Sequence, residues 1–286
     1  QLYLETKRAL RRGLENNIDK QDWIEETQQA AIGRLNRHNI STDKILALWE
    51  DVNEDYFLRE SYLDIAWHTE AILQHDKSTP LILIQETSSR ELEGATQIFV
   101  RSKGRDNVFA AVANALDQLN LSVQDARIYN SRSGYTLDTF FVLNQNGEPL
   151  GTDPRTLRHI HDTLQKELAL VDEYRDIITR RTPRRLKNFT LPTRTSIRND
   201  MISGYTLLEV ISPDRPGLLA CIGRIFIKFD LHLQNAKIAT LGERVEDIFF
   251  ITDNQGQPLS DPALCEALQQ EICRQLDDRV DQCAAF

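Results

Sequence analysis

Apolar positions fall at two different periods along this chain, and the change of period divides it. Up to about residue 78 they recur at helical spacing among charges. Ala9, Leu10 and Leu14 form one such face, Trp23, Ala30, Ala31 and Leu35 a second, and Asp43–Trp49 and Tyr62–Leu73 continue it. Asn16-Asn17 and Ser41-Thr42-Asp43 are breaks and caps between these helices. Beyond Pro80 the pattern becomes short β-branched and aromatic runs separated by helical ones. These predict strands at Leu81–Gln85, Gln97–Arg101, Ser122–Asn130 and Tyr135–Leu143. Helices are predicted at Asn107–Leu119 and from Asp153-Pro154 onward.

The second half repeats the first. Thr96–Ser131 aligned without a gap on Thr206–Leu241 gives nine identities in 36 positions, among them Thr96/Thr206, Ser102/Ser212, Arg105/Arg215, Ala110/Ala220 and Ala126/Ala236. Asp138–Leu150 then matches Asp247–Leu259 at six of 13 positions, including Asp-x-Phe-Phe and Gly-x-Pro-Leu. A period near 110 residues means two copies of a domain rather than a solenoid. In the second copy the elements are Leu207–Ile211, Leu218–Phe229, His232–Leu241, Val245–Asp253 and Pro262–Leu276. The order β-α-β-β-α is that of a ferredoxin-like unit, whose fourth strand closes an antiparallel sheet. Thr190–Ile197 is the expected closing strand of the first copy, and the residues near Arg279–Gln282 that of the second. The fold class expected is α+β: a helical segment at 1–78, a first βαββαβ domain with its basic linker at 79–200, and a second at 201–286.

The candidate chemistry lies in the turn Ser212-Pro-Asp-Arg-Pro-Gly217, between a strand and a helix. Such a turn points unpaired backbone N–H groups and the positive end of a helix dipole at its guest, which suits a carboxylate. The plainer alternative is that Pro213 and Pro216 only shape the chain. No catalytic constellation and no metal-ligand spacing is evident, so no catalytic or metal residue is expected. His68 and Glu70 diverge on a helix. Asp138 and Asp247 recur between Phe-rich strand residues, a position that marks a shared turn or interface more simply than acid–base chemistry.

Composition narrows the class. With 41% hydrophobic and 27% charged residues the chain is an ordinary globular one, and a net charge of −9 argues against nucleic acid as partner. No apolar run reaches the length of a membrane span, and no signal peptide is visible. The chain opens at Gln1 inside a helical pattern and is expected to be a piece of something longer. Cys221, Cys265, Cys273 and Cys283 have the scatter of reduced cytosolic thiols. Between Arg175 and Arg198 eight basic residues face one acid, Asp176. This run is either a solvated linker face or a docking patch for an acidic surface.

Pro213–Leu219, followed by Gln234-Asn-Ala-Lys-Ile238 and Asp247-Ile-Phe-Phe-Ile251, resembles the ACT domain, a βαββαβ module that binds amino acids and regulates metabolic enzymes. Two tandem copies behind Tyr56-Phe-Leu-Arg59 and Ile65-Ala-Trp-His-Thr69 are similar to the regulatory end of bacterial nitrogen-sensing enzymes that attach UMP to PII signalling proteins and remove it. The resemblance implies a cytoplasmic protein with glutamine as ligand, and with the parent chain's catalytic domains and a PII protein as partners. No cofactor is expected in this stretch, and Mg or Mn in the parent. By position, ligand contacts fall on Asp214, Arg215, Gly217, Leu218, Leu219 and Asn235, and in the first copy on Arg105, Asp106, Asn107 and Asp125. The first copy has Lys103-Gly104 for Pro213-Asp214 and Asp106-Asn107 for Pro216-Gly217, which makes the second turn the better formed. The residues alone do not choose glutamine over serine or leucine.

Overall fold

The structure, a computed structural model, describes residues 20–76, 79–87, 94–103, 105–169, 192–200, 204–241 and 244–284. The pattern around Ala9–Leu14, most of the Ser88–Gly94 stretch and most of the basic run fall outside these residues. The chain divides into two compact units, 1–74 and 75–286.

The first unit is helical: α1 (Lys20–Arg37), α2 (Thr42–Trp49), α3 (Glu54–Arg59) and α4 (Tyr62–Gln74). Its buried residues include Ile24, Ala31, Leu35, Ile45, Trp49, Tyr56 and Ile65. The Trp-His-Thr stretch of α4 serves packing. Trp49 Nε1 donates to Thr69 Oγ1 at 2.9 Å, and the Tyr56 hydroxyl lies 2.8 Å from His68 Nδ1. Glu70 turns away from His68 and pairs with His38 at 2.9 Å, the divergence that a two-residue helical offset dictates.

The second unit contains β1 (Leu81–Glu86), β2 (Thr96–Lys103), α5 (Arg105–Gln118), β3 (Ser122–Asn130), β4 (Tyr135–Leu143) and α6 (Pro154–Ala169). It continues with β5 (Arg194–Asp200), β6 (Tyr205–Pro213), α7 (Leu218–Lys228), β7 (His232–Lys237), β8 (Thr240–Leu241), β9 (Arg244–Thr252) and α8 (Pro262–Ala284). Among the described residues the strands form one antiparallel sheet in the order β1-β2-β4-β3-β7-β9-β6-β5, with β8 beside β9. Each half is a four-stranded ferredoxin-like sheet, and the halves meet where β3 pairs β7 at Ala126 and Ala236. Helices α5 and α7 pack on each other, with α6 beside α5 and α8 beside α7. One core joins sheet and helices: Val100, Ala126 and Phe140 occupy in the first copy the places of Val210, Ala236 and Phe249 in the second.

The identities between copies repeat their hydrogen bonds. Thr96 Oγ1 accepts the N–H of Leu150 at 2.9 Å, and Thr206 Oγ1 that of Leu259 at 2.8 Å. Asn144 Oδ1 accepts the N–H groups of Asn146 and Glu148, as Asp253 Oδ1 accepts those of Gln255 and Gln257, and Gly147 and Gly256 follow with positive φ. Asp153 and Asp261 each take an N–H at the start of the helix that Pro154 and Pro262 open.

The expected closing strands are both corrected. Arg194–Asp200 does not close the first half but pairs with β6 of the second, and the edge place of the first half is held by β1, paired with β2. Arg279–Gln282 is helical, part of α8, whose buried Leu268, Ile272 and Leu276 recur at helical spacing. The fourth strand of each half therefore precedes the repeat instead of following it. A strand running antiparallel to β2 or β6 fills the same edge from either direction.

Where α7 crosses α5, Gly223 has no room for a side chain: a Cβ would stand 2.9 Å from Ala110 Cβ and 3.1 Å from Ala110 Cα. Gly223→Val is expected to force the helices apart and to destabilise the unit by about 1–3 kcal/mol. The check is urea unfolding, which should show a lower midpoint with an unchanged slope.

Candidate functional site

The second-copy turn opens onto a cavity of about 500 Å³. One wall is the turn itself, Asp214 to Gly217, with the first residues of α7. Facing it are Ala113, Leu116 and Asp117 of α5, the loop Asn120–Leu121 into β3, and Gln145; Ile238, Val245 and Asp247 complete the lining. The site thus draws on both copies.

Gly217 sets the entry to α7. It lies at φ 72°, ψ 10°, a left-handed conformation that favours glycine, and no side chain caps the helix behind it. Leu218 N–H donates to the Arg215 carbonyl at 3.4 Å and Cys221 N–H to that of Gly217 at 2.9 Å, which leaves the N–H groups of Leu219 and Ala220 at the start of the helix. Arg215 holds the turn in place. Its guanidinium donates to the carbonyl of Leu276 on α8 and, at 3.1 Å, to the hydroxyl of Ser212. Its charge is therefore spent on the turn's own anchorage, while Asp214, Gly217, Leu218 and Leu219 stand with it in the lining.

Three carboxylates share this space. Asp247 is fully buried; Oδ1 accepts the N–H of Ala239 at 3.2 Å, and Oδ2 has no partner. Burial pushes its carboxyl up to about 7, the Ala239 N–H opposes this and the charge of Asp214 adds to it. Burial likewise raises Asp214, opposed by the N–H of Arg215 and assisted by Asp117. The counterpart in the first copy, Asp138, is also buried and raised well above the usual carboxylate range by burial. The Thr136 hydroxyl and Tyr129 N–H lie toward it without closing a hydrogen bond of full geometry. Among the described residues no group of three His, Cys, Asp or Glu is placed to hold a metal ion.

The remaining candidates from the sequence lie elsewhere. Asn235 is buried on β7 opposite Phe250, and alternation along the strand puts it on the sheet face away from Ala236 and the helices, outside the cavity lining. Asp125 occupies the matching place on β3, where Arg127 Nε reaches it at 3.3 Å. Helix α5 begins at Arg105, and the side chains of Arg105, Asp106 and Asn107 lie outside the described residues. The sequence marks Asp247 as one of two acids repeated between Phe-rich strand residues, which reads there as a shared turn or interface and not as a site. The contributions of Asp117, Asn120 and Gln145 carried no signal, because they reach the turn of the other copy.

A relative from Stutzerimonas stutzeri (strain A1501), named bifunctional uridylyltransferase/uridylyl-removing enzyme, is 50% identical over 283 residues, 99% of this chain and 31% of the relative's length. The chain is homologous to the C-terminal part of these bifunctional enzymes. The enzyme of the same name from Pseudomonas aeruginosa (strain LESB58) is 53% identical over 277 residues, 96% of this chain and 31% of its own length. The chain thus spans about a third of the length of the curated relatives it matches. The family model described as uridylyltransferase GlnD fifth domain matches residues 19–71, the helical unit. Among solved structures, aspartate kinase from Synechocystis aligns with 65% of this chain and 28% of its own, at 15% identity and a TM-score of 0.37. Among the described residues no helix is long and apolar enough to cross a membrane.

A carboxyl raised by burial binds its proton more tightly when folded, so its contribution to stability is complete below 3.8 and is lost as pH rises toward about 7. Asp247→Asn removes that loss and keeps an acceptor for the Ala239 N–H. The variant is expected to melt at a higher temperature than the parent at pH 8, with the gap closing toward pH 4. Thermal melts across this range provide the check.

Proposed function

We propose that residues 75–286 are the amino-acid-sensing region of a bifunctional uridylyltransferase/uridylyl-removing enzyme, and that glutamine is the signal. The observation that carries this reading is the cavity at Asp214–Leu219, whose volume falls in the range of small-ligand sites, roughly 300–1,000 Å³. An uncapped helix N-terminus supplies donors for a carboxylate, and Gly217 lets the guest approach the backbone. Polar residues of the first copy, Asn120 and Gln145 among them, share the lining with the turn. A carboxamide matches both in offering a donor and an acceptor.

In this reading the ligand acts on catalytic domains elsewhere in the parent chain, shifting the balance from attaching UMP to a PII signalling protein toward removing it. The divalent cation that such chemistry uses, Mg or Mn, belongs to those domains. This chain by itself transfers no uridylyl group.

Titration calorimetry of the chain against a panel of amino acids tests the proposal, with saturable heat from glutamine as the expected result. Gly217→Val places a branched side chain at a positive φ and into the backbone's approach path. It is expected to weaken glutamine binding at least about tenfold, equivalent to about 1.4 kcal/mol. Asn235→Ala, outside the lining, should bind nearly as the parent does. Heat from no amino acid, with concentration-dependent self-association in sedimentation, would instead identify a purely structural pair of modules.

A further inference from the structure

Two parts of the cavity lining differ in what they can bind, and a carboxylate guest explains only one. The first is the start of α7, with backbone donors and the positive end of a helix. The second is Asp247, a lining residue that is fully buried and whose Oδ2 has no partner. An unpaired buried carboxylate oxygen is costly in an empty site and gains most from a charged donor. We propose that Asp247 is the ammonium acceptor of this site: Oδ2 receives a primary ammonium group of the guest while the guest's carboxylate lies at the N-terminus of α7. The inference rests on the sensing function proposed above and assigns it a further residue.

The charges around Asp247 favour a cation beside it. Asp214 on the turn and Asp117 on α5 add negative potential. The cationic side chain of the turn, Arg215, is drawn to the Leu276 carbonyl, and on Asp247's own strand Arg244 is paired with Glu246. Among the described residues no group of three His, Cys, Asp or Glu is placed to hold a metal ion, and an ammonium group needs no such set. A zwitterion held this way is selected at both ends at once. Molecules lacking either charge are rejected because the group that loses its partner stays buried. Binding is also linked to protons. Asp247 is largely protonated below pH 7 and must release its proton to take an ammonium group.

The test compares L-glutamine with 4-carbamoylbutanoate, the same molecule with hydrogen in place of the ammonium group, by calorimetry on the 286-residue chain. The parent should prefer glutamine by about ten- to a hundredfold, the range for a hydrogen bond to a charged group. Asp247→Asn should bring the two within about threefold, while Asp138→Asn, the same change at the repeat-equivalent acid, keeps the preference. At pH 6, in buffers of different ionisation enthalpy, glutamine should release a proton on binding the parent, and the deamino compound should release none. This readout needs no variant. Full preference retained by Asp247→Asn, or preference lost equally in Asp138→Asn, or proton release that is the same for both compounds, overturns the assignment. Failure of the sensing function itself reads differently, as no heat from any amino acid.

Discussion

The second unit depends on a close approach between two small-residue surfaces. In the sheet, Ala126 stands opposite Ala236 at the single pairing that makes eight strands continuous. Above it, Gly223 lets α7 settle against Ala110 on α5. A sheet–helix pair of this kind hides two edge strands that would otherwise be open, and it fixes how far the first copy reaches over the second. Larger groups at these places would push the two halves apart and so alter the cavity that both line.

The repeat makes this seam almost symmetric, and one methyl group breaks it. Ala110 and Gly223 meet at one end. Their counterparts by the repeat are Ala220 and Ala113, and both of these line the cavity. The helices are in tight contact where glycine allows it, while the end bearing alanine on both helices borders open volume. The two turns differ in the same sense. Only the second has the Pro-Asp-Arg-Pro-Gly sequence, with Gly217 at positive φ and Arg215 anchored to α8. Duplication supplied two similar edges, and small substitutions allotted the cavity to one.

Much of this was legible because the repeat turned weak signals into paired ones. Thr96/Thr206 and the Gly-x-Pro-Leu segments are identical because in each copy a threonine hydroxyl takes the N–H of that segment's leucine. Strands β3 and β4 were readable to the residue, since alternation and flanking turns agree there. The fourth strand was not, because an edge strand is defined by its partner and local composition does not say whether that partner lies before or after it. Asn235 shows a second limit. It follows the turn's strand order closely, but side chains one residue apart on a strand point to opposite faces, so a motif position is no guarantee of a site position. Nothing in a single copy announces that Gln145 or Asn120 will line the other copy's turn.

A guest of this cavity touches both copies, and that has an energetic consequence independent of its identity. Contacts to the turn come from the second copy and contacts to α5 and Gln145 from the first. A ligand shifts a conformational equilibrium only by its difference in affinity between states. Here that difference is largest for any change that alters the seam, since moving the copies apart separates the ligand's two sets of partners. A buried Asp247 with one unpartnered oxygen acts in the opposite sense, because its charged form is poorly solvated there and costs more as pH rises. The same carboxylate that makes the empty seam less favourable becomes a partner once an ammonium group enters. The free energy of binding is thus directed into the contact between α5 and α7, the contact on which the unit's architecture rests.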